Sequence, residues 1–124
     1  MTAAEAYYGF WAQFGIPCYE EGAFPDADPP GYPCLSYRYG EGAGRGEGIA
    51  LSASLFVRSP GWGEARDLAA RIGSALPAGG IYLPVDEGGL WIRRDTPFLT
   101  WTGDEDDPFL RRILIRVTAR MYGR

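Results

Sequence analysis

Apolar and polar residues alternate most clearly after Gly48, where Ile49, Leu51, Ala53, Leu55 and Val57 recur at every second position with Ser52 and Ser54 between them. That period belongs to a β-strand with one buried face. Ser59-Pro60-Gly61 stops the strand. Ser59 suits a helix N-cap and Pro60 the first helical position, where no backbone N–H is missed, so a helix is predicted to begin there at once. Ala65, Leu68, Ala69, Ile72 and Leu76 then follow at the three-and-four spacing of a helix with one buried stripe. One long strand and one helix thus share a core, and the rest of the chain is organised around them.

Upstream, Thr2 followed by Glu5 forms a capping-box pattern, and Ala3, Ala6, Tyr7, Phe10, Trp11 and Phe14 fall along one side of a helix predicted over 2–14. Those rings read as the helix's share of the core rather than as a stacking platform for a ligand. Gly15 to Gly31, broken by Pro17, Pro25, Pro29 and Pro30 and made acidic by Glu20, Glu21, Asp26 and Asp28, reads as a long irregular connection. Pro33 to Tyr39 is a short strand with Leu35, Tyr37 and Tyr39 on one face and Ser36 and Arg38 on the other. Gly40 to Gly48 (GEGAGRGEG) is a flexible hairpin tip. It ends in a strand rather than a helix, which argues against a phosphate loop at Gly42-Ala43-Gly44.

Beyond the central helix, Ala78-Gly79-Gly80 closes it, Ile81 to Val85 forms a third strand, Asp86 to Gly89 a turn and Leu90 to Arg93 a fourth strand. Pro97 to Trp101 reads as a short edge segment and Thr102 to Pro108 as a solvated acidic loop. The last segment, Phe109 to Tyr122, alternates Ile113, Ile115, Val117, Ala119 and Met121 with Arg112, Leu114, Arg116, Thr118 and Arg120, and is long enough for a central strand. The sum is an α+β fold in a single domain spanning 1–124. It is a mainly antiparallel β-sheet of about five strands, with two helices packed on one face and a long projecting hairpin.

Composition narrows the chemistry. An apolar fraction of 46% with 15% aromatic residues supplies a core for 124 residues, and 18 Gly with 10 Pro favours strands and turns over a helical bundle. All 12 basic residues are Arg, with neither His nor Lys present. Without His there is no Ser-His-Asp or Cys-His pair, and Cys18 and Cys34 are too few for a thiolate zinc site. Without Lys there is no P-loop lysine and no Schiff-base nucleophile. No cofactor is implied. The net charge of −4 argues against wrapping nucleic acid, and no apolar run approaches a bilayer span. The N-terminus lacks a signal-peptide layout, which points to the cytoplasm. Cys18 and Cys34 lie in Pro-rich segments where a bridge is open to them, but a reducing compartment favours free, partly buried thiols.

Three clusters carry charge. Asp104, Glu105, Asp106 and Asp107 lack the ligand spacing of a calcium loop and read as a solvated loop, or one held against a basic neighbour. Asp86, Glu87 and Asp95 are the carboxylates from which a small acidic enzyme would draw an acid and base pair. Arg112, Arg116 and Arg120 fall every fourth residue on one strand face, where like charges repel unless acids sit opposite. Those acids belong either to this chain or to a neighbouring subunit. Arg45, in the Gly-rich tip, joins them as a candidate interface residue.

Across nearly the whole length, the order and spacing of short signals resembles the tail terminator (tail-completion, minor tail) proteins of phages and prophages with long non-contractile tails. They are Phe14-Gly15-Ile16-Pro17 with Tyr19 and Glu20, Phe24-Pro25-Asp26, Pro33-Cys34-Leu35-Ser36-Tyr37, and Phe56-Val57-Arg58-Ser59 with Trp62 and Glu64. Then come Gly79-Gly80-Ile81-Tyr82-Leu83-Pro84, Leu90-Trp91-Ile92, Thr96-Pro97-Phe98 and Arg111-Arg112-Ile113-Leu114-Ile115. The resemblance implies a non-enzymatic α+β subunit that forms a six-fold homo-oligomeric ring on the last ring of tail tube protein. There it stops tube polymerisation and offers a surface to the head-tail connector protein, while DNA passes through without specific binding. Such a protein resides in the virion tail, and in the host cytoplasm during assembly. A head-tail connector or stopper protein is the alternative within the same assembly.

Overall fold

Two long strands paired along their whole length form the middle of the molecule. The computed structural model describes residues 1–21, 31–42 and 47–123. Helix α1 (Ala3–Ala12) is followed by strands β1 (Cys18–Glu20), β2 (Cys34–Tyr37) and β3 (Gly48–Arg58), helix α2 (Gly63–Ala75), and strands β4 (Ile81–Val85), β5 (Gly88–Gly103) and β6 (Leu110–Gly123). The six strands lie in the order β1-β2-β3-β6-β5-β4. All neighbours are antiparallel except β1 and β2. The alternating β6 therefore occupies an interior position, flanked by β3 and β5.

Register decides which side chains meet. Leu51 pairs with Val117, Ala53 with Ile115 and Leu55 with Ile113 across β3 and β6. These residues and Leu35, Leu90 and Ile92 all point to the side on which α1 and α2 pack. Helix α1 contributes Ala3, Ala6, Tyr7, Phe10 and Trp11, and α2 contributes Ala65, Ala69 and Ile72, all buried. The Thr2 hydroxyl accepts from the Glu5 N–H at 3.1 Å and the Glu5 carboxylate from the Thr2 N–H at 2.9 Å, which completes the capping box. Tyr7, Trp11 and Tyr37 form an edge-to-face aromatic cluster over the β2 end of the sheet. Inside it, the Trp11 indole N–H approaches the Tyr7 hydroxyl without reaching hydrogen-bond geometry, so both groups are buried without a partner.

Arginines satisfy the backbone where helix and strand ends leave it open. α2 has no basic residue in its last turn, yet Arg94 of β5 donates to the Leu76 carbonyl at 2.6 Å and the Gly73 carbonyl at 2.8 Å. A cation from another element thus compensates the C-terminal dipole. Arg111 donates to the carbonyls of Ser59 and Pro60, at 3.3 and 2.8 Å, and lies over the Trp62 ring. At the β4–β5 turn Gly88 has φ +136, and any Cβ there would run into the Tyr122 carbonyl oxygen.

Four expectations need correction. The α2 helix begins at Gly63, with Trp62 rather than Ser59 at its N-cap position. Ser59 instead donates its N–H to the Phe109 carbonyl at 2.7 Å, continuing the ladder, and its own carbonyl is taken by Arg111. The sheet has six strands because Cys18–Glu20, within the stretch read as irregular, lies parallel to β2; Leu35 N–H donates to the Pro17 carbonyl and Glu21 N–H to the Tyr37 carbonyl. Pro97 to Trp101 is no separate segment but the continuation of β5 beyond a register shift between Arg94 and Leu99; it does lie at an edge, because β4 pairs only with Gly88–Ile92, and the shift admits Pro97. Finally α1 stops at Ala12, although Phe14 remains buried. Residues 43–46 of the Gly-rich tip, Asp26 and Asp28 lie outside the described residues.

Two outcomes test this packing. Ile115 and Ile72 are both buried in the one core, whereas Leu114 points to the other side and is only half-buried. Ile115→Ala should cost about 2–5 kcal/mol in urea melts of the isolated subunit, and Leu114→Ala clearly less; equal losses would mean that both sheet faces are covered. Burial also holds the Tyr7 phenol above its ordinary value. Its contribution to stability is therefore complete below about pH 10, where the unfolded phenol begins to ionise, and declines above it. Tyr7→Phe removes an unsatisfied hydroxyl, so at neutral pH it should be neutral or stabilising, and it should lose less stability than the wild type between neutral and strongly alkaline pH. A clear destabilisation at pH 7 would show that the hydroxyl has a partner.

Candidate functional site: the open face of the sheet

Both helices pack on one side, so the other side of the sheet is left open. Strand alternation places Arg112, Arg116 and Arg120 there, as their spacing predicts. Arg112 pairs with Phe56 of β3 and Thr102 of β5, Arg116 with Ser52, and Arg120 with Gly48 and Trp91. The missing Cβ of Gly48 lets the Arg120 guanidinium lie against the β3 backbone. Arg38, Arg58 and Arg93 project on the same side by the same alternation. Aromatic residues are interleaved with them. Tyr82 and Tyr122 are exposed, Trp91 is half-buried against Tyr122, and Arg112 and Arg93 lie over the rings of Phe56 and Trp91. Arginine and aromatic side chains together are the composition of a protein interface.

The arginines of this face divide into two groups. Arg58 binds Asp107 at 3.0 Å, and Arg112 donates through Nε and Nη2 to the Ser54 hydroxyl at 3.1 and 2.9 Å. The guanidinium groups of Arg38 and Arg116, both exposed, make no hydrogen bond or ion pair with another described residue. On the helix side, by contrast, Arg71, Arg94 and Arg111 all donate to backbone carbonyls.

The acidic loop sits at the end of the sheet where β5 passes into β6. Asp104 accepts from the N–H groups of Asp106 and Asp107 at 2.8 and 3.2 Å, and Asp107 accepts from Phe109 N–H at 3.0 Å while binding Arg58. The Arg58 bond holds the Asp107 carboxyl below its ordinary range. Two of the four acids thus lock the loop in shape. Glu105 and Asp106 are exposed, and their carboxylates have no partner among the described residues. The fold does not bring this loop to Arg116 or Arg120. Leu110 and Arg116 lie six positions apart on β6, about 20 Å at the rise of a β-strand, which is beyond the reach of an arginine side chain. Arg45 lies outside the described residues.

The alternative carboxylates do not form a pair with Asp95. Asp86 binds the N-terminal ammonium at 2.7 Å and Glu87 accepts from Ala3 N–H at 3.5 Å, at the β4–β5 turn. Asp95 accepts from its neighbour Thr96 at the β5 register shift, about 25 Å along the strand. Among the described residues no cluster of three or more His, Cys, Asp or Glu side chains could hold a metal ion. Cys18 pairs with Leu35, so Cys34 points to the opposite side of the sheet; the two thiols are free, and burial pushes that of Cys18 up to about 11.

Sequence reasoning missed a groove on the open face, about 390 Å³, lined by Glu21, Ser36, Arg38, Ser52, Ser54, Phe56 and Arg112. Its signal was present in the alternation of Ser36 with Arg38 and of Ser52 with Ser54, but only the β2–β3–β6 register lines them up.

Comparison with known proteins gives a fold and no family. No family model and no curated protein matches the chain. Among solved structures, a chain of the virion of a native gene transfer agent particle is similar to it with a TM-score of 0.52 and 24% identity, covering 92% of this chain and 84% of that one. The two share the α+β arrangement over almost their full lengths.

Proposed function

We propose that this protein is a structural virion subunit that assembles into a closed, six-fold ring at the end of a phage-type tail tube. There it ends tube polymerisation and presents a joining surface to the head connector. One observation carries the reading. Among the described residues, an open sheet face bears two arginines without a side-chain partner, Arg38 and Arg116, among aromatics, and the acids without a partner, Glu105 and Asp106, lie in a rigid loop at the sheet's end, too far away to neutralise them within one copy. The shared fold with a virion chain and the terminator-like order of sequence signals support it. Two complementary patches at different places on one subunit make a head-to-tail contact, which closes into a ring when the rotation per subunit divides a full turn. The mechanism is geometric: a ring seated on the tube covers the growing end and leaves no edge for the next tube ring. DNA passes through without base-specific contacts, in keeping with the acidic net charge. The ring belongs to the virion tail after assembly in the host cytoplasm.

Arg116→Glu tests it. Arg116 is exposed, so the monomer's melting temperature should hardly move, a surface charge change being worth about 0.5 kcal/mol. At a subunit contact the loss should be about 2–5 kcal/mol. Sedimentation with tail tubes should show weakened capping, and electron microscopy should show tails of uncontrolled length. Normal capping and normal tail lengths would remove the arginine row from the interface. Binding of the chain to the portal side and not to tubes would make it the connector instead.

A further inference from the structure

The geometry points to the groove of Ser36, Arg38, Ser52, Ser54 and Arg112 as the receptor for the acidic loop of a second copy of this chain, with Asp106 or Glu105 as the inserted carboxylate. This rests on the ring reading above and gives the subunit contact its chemistry. In the sheet, Ser52 has Arg116 opposite it on β6, and Arg38 N–H donates to the Ser52 carbonyl at 2.8 Å from the β2 side. Two guanidinium-bearing strands thus flank a serine-bearing one, about 10 Å from outer strand to outer strand. Ser36 and Ser54 are directly paired, which adds a second row of hydroxyls. Arg112 is pinned by both of its bonds to Ser54, itself buried, so its remaining N–H groups are held in a fixed direction. Planar forks of this kind suit a carboxylate, which can take two parallel N–H bonds, and hydroxyls can donate to its other lone pairs. Glu21 also lines the groove and opposes an incoming acid, but Arg38, Arg112 and the neighbouring Arg116 outnumber it.

The occupant is argued from charge and shape. Among the described residues of this chain, the acidic loop is a preorganised acid: Asp104 and Asp107 fix its backbone, leaving Glu105 and Asp106 presented outward with only their side chains still to be ordered. The loop of the same copy is out of range of the Arg38–Ser52 end of the groove. Arg112 and Phe56, at the near end, lie two residues from Leu110 and Arg58, but Ser52, with Arg38 beside it, lies six residues from Arg58, the residue that holds the loop, about 20 Å along β3. Among the described residues, the loop of another copy is the acid that suits the far end.

Charge exchange tests the pairing. Arg38→Glu and Asp106→Arg should each leave the monomer's thermal melt nearly unchanged, because both side chains are exposed and neither has a partner among the described residues. Each should raise the concentration at which rings form, followed by sedimentation velocity, by at least about 30-fold. The double variant should recover most of the wild-type association. Wild-type rings with unaffected single variants, or a double variant no better than either single, would overturn the groove and leave the ring standing. Loss of rings in Arg38→Glu but not in Asp106→Arg would assign the groove to an acid from elsewhere and overturn the second copy as occupant. A wild-type chain that stays monomeric, alone and on tail tubes, would overturn the ring reading and the groove with it.

Discussion

The ladder between β3 and β6, running unbroken from Gly48 opposite Arg120 to Arg58 opposite Leu110, is the constraint from which the other features follow. Because side chains alternate at every residue, one register places Leu51, Ala53, Leu55, Ile113, Ile115 and Val117 under the helices and simultaneously places Ser52, Ser54, Arg112 and Arg116 on the open side. A slip of one residue would bury guanidinium groups in the core and expose the aliphatic set. The strong burial of the inner face therefore fixes the outer face as well. A functional surface need not be specified separately from the fold when it is the reverse side of the same strands.

Arginine usage sorts along the same division. Facing the helices, Arg94 and Arg111 donate to backbone carbonyls at the end of α2 and in the Ser59–Pro60 link. Such bonds stabilise the subunit itself, and the planar, multiply donating guanidinium serves them better than an ammonium would. On the open face the guanidinium groups of Arg38 and Arg116 have no partner among the described residues. An exposed charge is not costly alone, but these two like charges face one another across β3, about 10 Å apart strand to strand, so the arrangement is best accommodated when a carboxylate enters between them. One residue type thus acts as an internal backbone cap on one side of the sheet and, on the ring reading proposed above, as a recognition element on the other.

The elements with a sustained period were legible in the sequence. The two-residue alternation in β3 and β6, the capping box of α1 and the apolar stripe of α2 all correspond to what forms, because each repeats a signal over several turns or pairs. What was not legible lacks that repetition. β1 has only three residues and draws its hydrogen bonds from β2, so its existence depends on a partner remote in sequence. The start of α2 was misplaced because the Ser59-Pro60 cap signal is local, whereas the competing bonds to Phe109 and Arg111 come from β6. Likewise the row of Arg112, Arg116 and Arg120 was visible from spacing alone, but Arg38 and the serines joined it only through cross-strand register. Asp107, read as part of a solvated loop or of one held against a basic neighbour, is held by Arg58, a pairing between the ends of two strands that no spacing rule contains.

Assembly by charge has a consequence for how growth ends. If each copy carries one acidic loop and one basic groove at different positions, an open chain of copies always keeps an unfilled groove at one end and an unpaired loop at the other. Both remain able to recruit another subunit. A closed ring fills every groove and engages every loop, so it is finite without any additional stop signal. Steering between oppositely charged patches would speed the encounter of copies, while the short reach of the loop would confine the contact to one geometry. Closure also removes the charges from the exposed rim, which leaves seating on a tube to the remaining surface, including the exposed aromatics Tyr82, Tyr122 and Trp101. Self-association and tube binding would then rest on different chemistry, ionic for the first and largely apolar for the second. Raising salt should therefore loosen the ring before it weakens the hydrophobic contact with the tube.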